Sequence, residues 1–178
     1  LTERAVKGTG SVGARVRPAA SGDVPALAVL RAELWPEGDP VEHASELPSW
    51  LADPDTCSLV AEADGGIVGF LEGRLRSHAD GCATSPVGYL EGWYVAPGRR
   101  RRGVGRALCA AFEAWARSRG CRELASDTWP ENTGSVAAHR RLGFEEVDRV
   151  VLFRKSLAPG IALPPSVRPP PAWNGGRP

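Results

Sequence analysis

A mixed α/β fold, a central sheet with helices on both faces, is what the sequence predicts. Three observations carry that expectation. Segments of strand and helix periodicity follow one another in the order β-α-α-β-β-β-α-β-α-β. Two β-rich runs are joined by Asp64-Gly65-Gly66, a strong hairpin signal. The length of 178 residues, with 42% hydrophobic and 24% charged side chains, suits one globular domain with a full core.

The stretch VGARVRPA (12–19) alternates and reads as a strand that Pro18 ends. Ser21-Gly22-Asp23 resembles an N-cap for a helix reaching about Trp35, with Pro25 tolerated in its first turn and Pro36 stopping it. A short helix covers 41–52. TCSLVAEAD (56–64) and IVGFLEGRLR (67–76) form the hairpin, and VGYLEGWYV (87–95) is a further strand ended by Pro97. In 103–120, Val104, Leu108, Ala111, Phe112 and Trp115 recur at helical spacing, and Gly120 is a stop. CRELASDT (121–128) reads as a strand, 131–143 as a helix ending at Gly143, and FEEVDRVVLFRKSL (144–157) as the last one or two strands. The sheet should then hold about six to seven strands. Residues 1–11 read as a loose extension and 12–157 as the folded domain. Residues 158–178 hold seven of the sixteen prolines and read as a disordered Pro/Gly-rich tail.

Composition narrows the function. A net charge of +1 argues against nucleic acid as the main partner. No apolar run approaches the ~18 residues of a membrane helix, and the first twenty residues lack the apolar stretch of a secretory signal. Cys57, Cys82, Cys109 and Cys121 show no CxxC spacing, so no metal site is expected and a reducing, cytoplasmic setting is. Charge is segregated. Residues 32–73 hold ten acids and no Lys or Arg, whereas 99–106 hold five Arg and no acid. A solvated face is the ordinary explanation of a charge run, but the separation suits a protein that holds an anion in one place and a cation in another.

The basic run lies in Val95-Ala96-Pro97-Gly98-Arg99-Arg100-Arg101-Arg102-Gly103-Val104-Gly105-Arg106. A strand ends, a glycine-containing loop follows, and a helix begins. The first helical turn presents unpaired N–H groups and the positive end of the dipole, glycines allow close approach, and arginines add charge. That chemistry suits a pyrophosphate; a surface loop with solvated arginines is the alternative, and a nucleic-acid patch is disfavoured because no aromatics interleave with the arginines. A Walker A loop is excluded because no Lys is present, and a Rossmann fingerprint fails because its third glycine position is Leu108.

Arg100-x-x-Gly103-x-Gly105 directly after a strand, followed by Asn132 opening a helix that ends in Gly143-Phe144, resembles the GNAT superfamily of N-acetyltransferases. Leu34-Trp35-Pro36, Leu90-Glu91-Gly92, Ala125-Ser126-Asp127-Thr128 and Pro130-Glu131-Asn132 are similar to the aminoglycoside 6′-N-acetyltransferases over about residues 15–156. The resemblance implies direct acetyl transfer from acetyl-CoA to the 6′-amine of a cationic aminoglycoside, hence antibiotic resistance, by a homodimer. Acetylation of a polyamine, small-molecule or protein amine is the alternative within the superfamily, and a non-catalytic acyl-CoA-binding module lies outside it.

The resemblance also implies roles. Acetyl-CoA would lie along Trp93, Tyr94 and Val95, a backbone N–H near Val95 meeting the oxyanion. Its diphosphate would sit at Arg100, Arg101, Arg102, Gly103, Val104, Gly105 and Arg106, and Asn132 would hydrogen-bond its arm. A lysine-like amine is roughly 0.1% neutral at pH 7, so a carboxylate must take its proton. Glu91 and Asp127 are the candidates, each also binding substrate; an outward strand residue and a strand end are their alternatives. Trp35 would stack on the sugar or its ammonium-bearing face, with a core-facing helix-end aromatic as its alternative. Asp148 would contact the drug at a site completed by a second subunit, with a solvated surface charge as its alternative. His139 stands where the superfamily often has a tyrosine that protonates the thiolate; a packed helix histidine is its alternative. The loop Arg76-Ser77-His78-Ala79-Asp80 lacks the family's aromatic, and His78 would replace that ring.

Overall fold

The computed structural model describes residues 14–157. Its elements are β1 (Arg15–Pro18), a 3-10 turn (Ser21–Asp23), α1 (Val24–Leu34), α2 (Pro40–Ala52), β2 (Thr56–Ala63), β3 (Gly66–Arg76), β4 (Val87–Val95), a second 3-10 turn (Pro97–Arg99), α3 (Val104–Ser118), β5 (Leu124–Ser126) and α4 (Thr133–Arg141). The strands form one sheet in the order β1-β2-β3-β4-β5. It is mixed, because β1 runs antiparallel to β2 and β4 parallel to β5.

Local chemistry explains most boundaries. Pro25 occupies the first turn of α1, where no N–H is needed, and Trp35 caps its end before Pro36. The carboxylate of Asp39 accepts from the Val41 and Glu42 amides and opens α2 one residue earlier than the sequence suggested. The β2–β3 turn has φ of 51° at Asp64 and 77° at Gly65, the left-handed pair that a tight hairpin requires.

Two sequence expectations change. The strand expected over 121–128 is only Leu124–Ser126. Just before it, Glu123 is drawn to the loop, accepting from the Ala83 and Thr84 amides and the Thr84 hydroxyl. Residues 144–157 form no strand, so five strands are described rather than six to seven. A β-prone run becomes a strand only when a ladder satisfies its backbone. This run has none among the described residues, and Val150 is 69% exposed and Phe153 93%. The expected extension 1–11 lies outside the described residues, as does the tail 158–178.

The described residues divide into two compact units, one reaching to Glu72 and including Gly92–Ala111, the other Gly73–Glu91 with the chain from Phe112 onward. In the first, Leu27, Ala28, Leu47, Val60, Phe70 and Tyr94 form a core with Trp35 packed against it. Gly92 lies under the Trp35 ring at the end of α1, and the next residue, Trp93, lies over Gly105 at the start of α3. Consecutive strand residues point to opposite faces, so α1 and α3 lie on opposite faces there. In the second unit, Val87, Ala79 and Ala125 form a smaller core, and Gly73 and Gly88 both lie under Phe112.

An ion pair is buried in the first unit. Arg31 donates from Nε at 2.9 Å and from Nη2 at 2.8 Å to Oε2 of Glu72, which is 1% exposed. Burial pushes the Glu72 carboxyl up, and Arg31 pulls it down. The guanidinium also lies 5.5 Å from the Trp35 ring and 5.9 Å from the Trp50 ring. Removing one partner strands the other charge. Arg31→Met or Glu72→Gln alone should lower the unfolding free energy by about 3–5 kcal/mol, and Arg31→Met with Glu72→Leu should recover most of it. Urea unfolding of the three variants checks this; equal losses in all three would contradict it.

Candidate active site

The sequence-predicted residues fall into two groups, one in each unit. In the first unit, β4 ends at Val95, and Pro97–Arg99 form a single turn. Arg101 has φ of 59° and Gly103 φ of 82°, and α3 starts at Val104. Two left-handed residues bend the chain so that the helix opens at the end of this loop. Ala107 is the first amide to bond back, to the Gly103 carbonyl at 3.0 Å. The Val104, Gly105 and Arg106 amides therefore precede the helical ladder. Arg101, Arg102, Gly103 and Arg106 are exposed, and a Cβ at Gly98 or Gly103 would meet nothing within 4 Å. This is an open, cationic, donor-rich turn that matches the chemistry of a diphosphate.

Two arginines of the turn serve its shape. Arg100 Nε donates to the Val95 carbonyl at 2.7 Å, and its guanidinium lies 5.4 Å from the Tyr94 ring. Arg99 pairs with Asp64. Tyr94 donates to Glu33 at 3.0 Å, and burial followed by that carboxylate raises its phenol. The Ala96 amide is engaged by the Val68 carbonyl at 2.9 Å. Trp35 is half-buried, its ring 6.1 Å from Phe70 and 6.2 Å from His43.

In the second unit, Glu91 and Asp127 belong to one connected set. Arg76 Nη2 donates to Glu91 Oε1 at 2.8 Å, and the same guanidinium lies 3.3 Å from the Tyr89 ring centroid. The Tyr89 hydroxyl donates to Asp127 Oδ1 at 2.5 Å. Burial first, and then the Asp127 carboxylate, hold the Tyr89 phenol above its usual range. Neither Arg76 nor Tyr89 was singled out from sequence. Tyr89 and Glu91 are two apart on β4 and so share a face, a signal that was available. The contact with Arg76 at the end of β3 needs the fold.

His139 is enclosed by hydrogen-bonding groups. Its Nδ1 lies 2.8 Å from the Ser135 carbonyl, to which it can only donate. Its Nε2 lies 3.1 Å from Ser126 Oγ, which in turn donates to the Leu90 carbonyl at 3.1 Å. Asn132 caps α4, accepting from the Ser135 amide at 3.1 Å and keeping its side-chain NH₂ group for another acceptor. His78 is exposed, 3.4 Å from Asp80. Asp148 is exposed and accepts from the Arg149 amide at 2.6 Å.

A groove of about 490 Å³ in the second unit is lined by Gly81, Cys82, Leu124, Ser126, Phe144 and Val147 among others, and by none of the sequence-predicted site residues. Among the described residues no cluster of His, Cys, Asp or Glu could hold a metal. None contains a helix long and apolar enough to cross a membrane. The four cysteines are unbridged, and burial pushes the Cys57 thiol up to about 12.

Comparison with known proteins adds the family. The profile of the "Acetyltransferase (GNAT) family" matches residues 24–144. The chain is 52% identical over 146 residues to aminoglycoside N(6′)-acetyltransferase type 1 of Stenotrophomonas maltophilia, covering 81% of this chain and 94% of that one. It is 45% identical to the enzyme of the same name from Klebsiella aerogenes over 80% and 96%. Among solved structures it is similar to AAC(6′)-Iy in complex with the bisubstrate analog CoA-S-monomethyl-acetylneamine, with a TM-score of 0.77, 40% identity and coverage of 80% and 98%. It is also similar to AAC(6′)-Ih from Acinetobacter baumannii, with a TM-score of 0.77, 34% identity and coverage of 82% and 100%.

Both tyrosines of the chain, Tyr89 and Tyr94, have raised phenol values. The stability they contribute is whole below the unfolded value of about pH 10 and falls as pH rises above it. An ultraviolet difference titration should therefore find little tyrosinate at about pH 10 in the folded protein. Asp127→Asn should bring Tyr89 down while leaving Tyr94 unmoved. Normal ionisation of both in the parent protein would contradict the geometry.

Proposed function

We propose a function from the family to which the chain belongs, the GNAT acetyltransferases, and within it, by identity, the aminoglycoside 6′-N-acetyltransferases. From that premise we propose that it transfers the acetyl group of acetyl-CoA directly to the 6′-amine of an aminoglycoside in a ternary complex, a reaction that confers antibiotic resistance. Acetyl-CoA supplies an activated thioester. The amine nitrogen forms the new amide bond as the carbon–sulfur bond breaks, and the amine loses a proton while the thiolate leaves.

The observation that carries the reading is the pair of chemistries on β4. Its middle bears Glu91, a carboxylate already engaged with the Arg76 guanidinium, which in turn lies on the Tyr89 ring. Its end leads into the exposed Gly–Arg turn at the mouth of α3. The turn suits a diphosphate: the Val104, Gly105 and Arg106 amides with Arg101 and Arg102 would hold it, and Asn132 would bond the cofactor arm. Arg100 would act chiefly by holding the turn against Val95 and Tyr94. Glu91 and Asp127 are the groups for drawing in an ammonium and taking its proton. Trp35 would offer its half-buried ring to the substrate, and His78 its imidazole at the loop. His139 would return a proton to the thiolate, its Ser126 contact linking it to a hydroxyl that can pass one on.

We also read the chain as a cytoplasmic homodimer. Unbridged cysteines suit a reducing compartment. The exposed run Val150–Phe153 is a β-prone, apolar segment without a ladder among the described residues, close to Asp148, and a second copy of the chain is the occupant that would cover it.

Glu91→Gln and Asp127→Asn should each reduce turnover of kanamycin or tobramycin by about 10²–10⁴-fold while coenzyme A affinity by calorimetry is unchanged. Normal turnover by both variants would remove the base assignment. Preferential turnover of spermidine or a lysine peptide by the parent protein would redirect the substrate. Sedimentation should find a dimer, and Val151→Asp with Phe153→Asp should weaken it on the order of 100-fold or more. A monomeric parent protein would contradict the dimer.

A further inference from the structure

Arg76 stands where a substrate cation would be expected to stand. An ammonium group is recognised by a carboxylate on one side and an aromatic face on another. The second unit contains that arrangement, and its own arginine fills it. The Arg76 guanidinium is 2.8 Å from Glu91 Oε1 and 3.3 Å from the centre of the Tyr89 ring. Tyr89 is in turn tied to Asp127 by its hydroxyl. Both carboxylates suited to a cationic substrate are thus capped from within, Glu91 by a charge and Asp127 by a phenol.

The capping charge is held loosely. Arg76 is 40% exposed at the end of β3, followed by the 77–80 loop. The pair is partly exposed, and at such a site one ion pair and one cation–π contact are each modest. It is a contact that an incoming polycation can exchange, unlike the buried Arg31–Glu72 pair.

We propose that Arg76 is a specificity-determining residue, an internal competitor that occupies the cation position between Glu91 and Tyr89 until a substrate ammonium displaces it. This rests on the aminoglycoside acetyltransferase reading and deepens it. Arg76 prevents Glu91 from standing as a bare carboxylate in the free enzyme, and it sets the affinity that a cationic substrate must bring to gain entry.

The test is steady-state acetylation of kanamycin by the parent protein, Arg76→Met, Arg76→Gln and Arg76→Lys. Each variant is first checked for folding by thermal unfolding and for coenzyme A binding by calorimetry. The Met and Gln variants should lower KM by about 5–10-fold, the change falling on KM rather than kcat, while the Lys variant stays near the parent. Guanidinium ion at millimolar concentration should raise KM again in the Met variant and change it little in the parent. An unchanged KM, or a KM that rises with loss of the arginine, would overturn the proposal; the latter would make Arg76 a positioning residue for Glu91. The Gln variant decides the matter if the Met variant does not fold. A parent protein inactive on aminoglycosides would instead overturn the functional reading on which the proposal rests.

Discussion

The absence of a side chain at Gly92 is the constraint from which the placement of Trp35 follows. A Cβ there would run into the far edge of the Trp35 indole. With hydrogen in its place, the ring lies directly on the strand backbone, braced by Phe70 and His43. Arg31 stacks against the same ring and is itself fixed by Glu72. One missing methyl group therefore lets the end of α1 settle against β4, and the buried ion pair keeps it there. Gly105 repeats the device beneath Trp93 at the start of α3.

Electrostatics divides the molecule's arginines by task. Arg31 is buried and structural, held by a carboxylate whose own ionisation is opposed by burial. Arg100 folds back on the strand end and shapes the turn. Arg101 and Arg102 remain exposed at the helix mouth, where a diphosphate would need them. Arg76 takes a fourth part, placed on the half-buried carboxylate of Glu91. Charge counts along the chain show only an acidic stretch and a basic one; burial and partners decide which charges brace the fold and which face a ligand.

Legibility followed locality. The Gly–Arg turn after β4, the N-cap at Asn132 and the Asp64-Gly65 hairpin turn each lie within a few consecutive residues, and all three stand where the sequence placed them. The 144–157 segment did not, because its β propensity is real but no ladder partners it among the described residues. β5 is shortened to Leu124–Ser126, although the Glu123 carbonyl just before it still accepts from the Gly88 amide of β4 at 3.2 Å.

By itself the sequence determined the alternation of elements and the donor-rich turn that opens α3. These depend on neighbours along the chain, which periodicity and spacing describe. Tertiary structure alone decided that Arg76 would cap Glu91, that Tyr89 would reach Asp127, and that Arg31 would meet Glu72, pairs separated by 15, 38 and 41 positions. No local rule selects such partners, because a charge in a sequence has many possible counter-ions, and only strand pairing and packing bring one of them within hydrogen-bond distance.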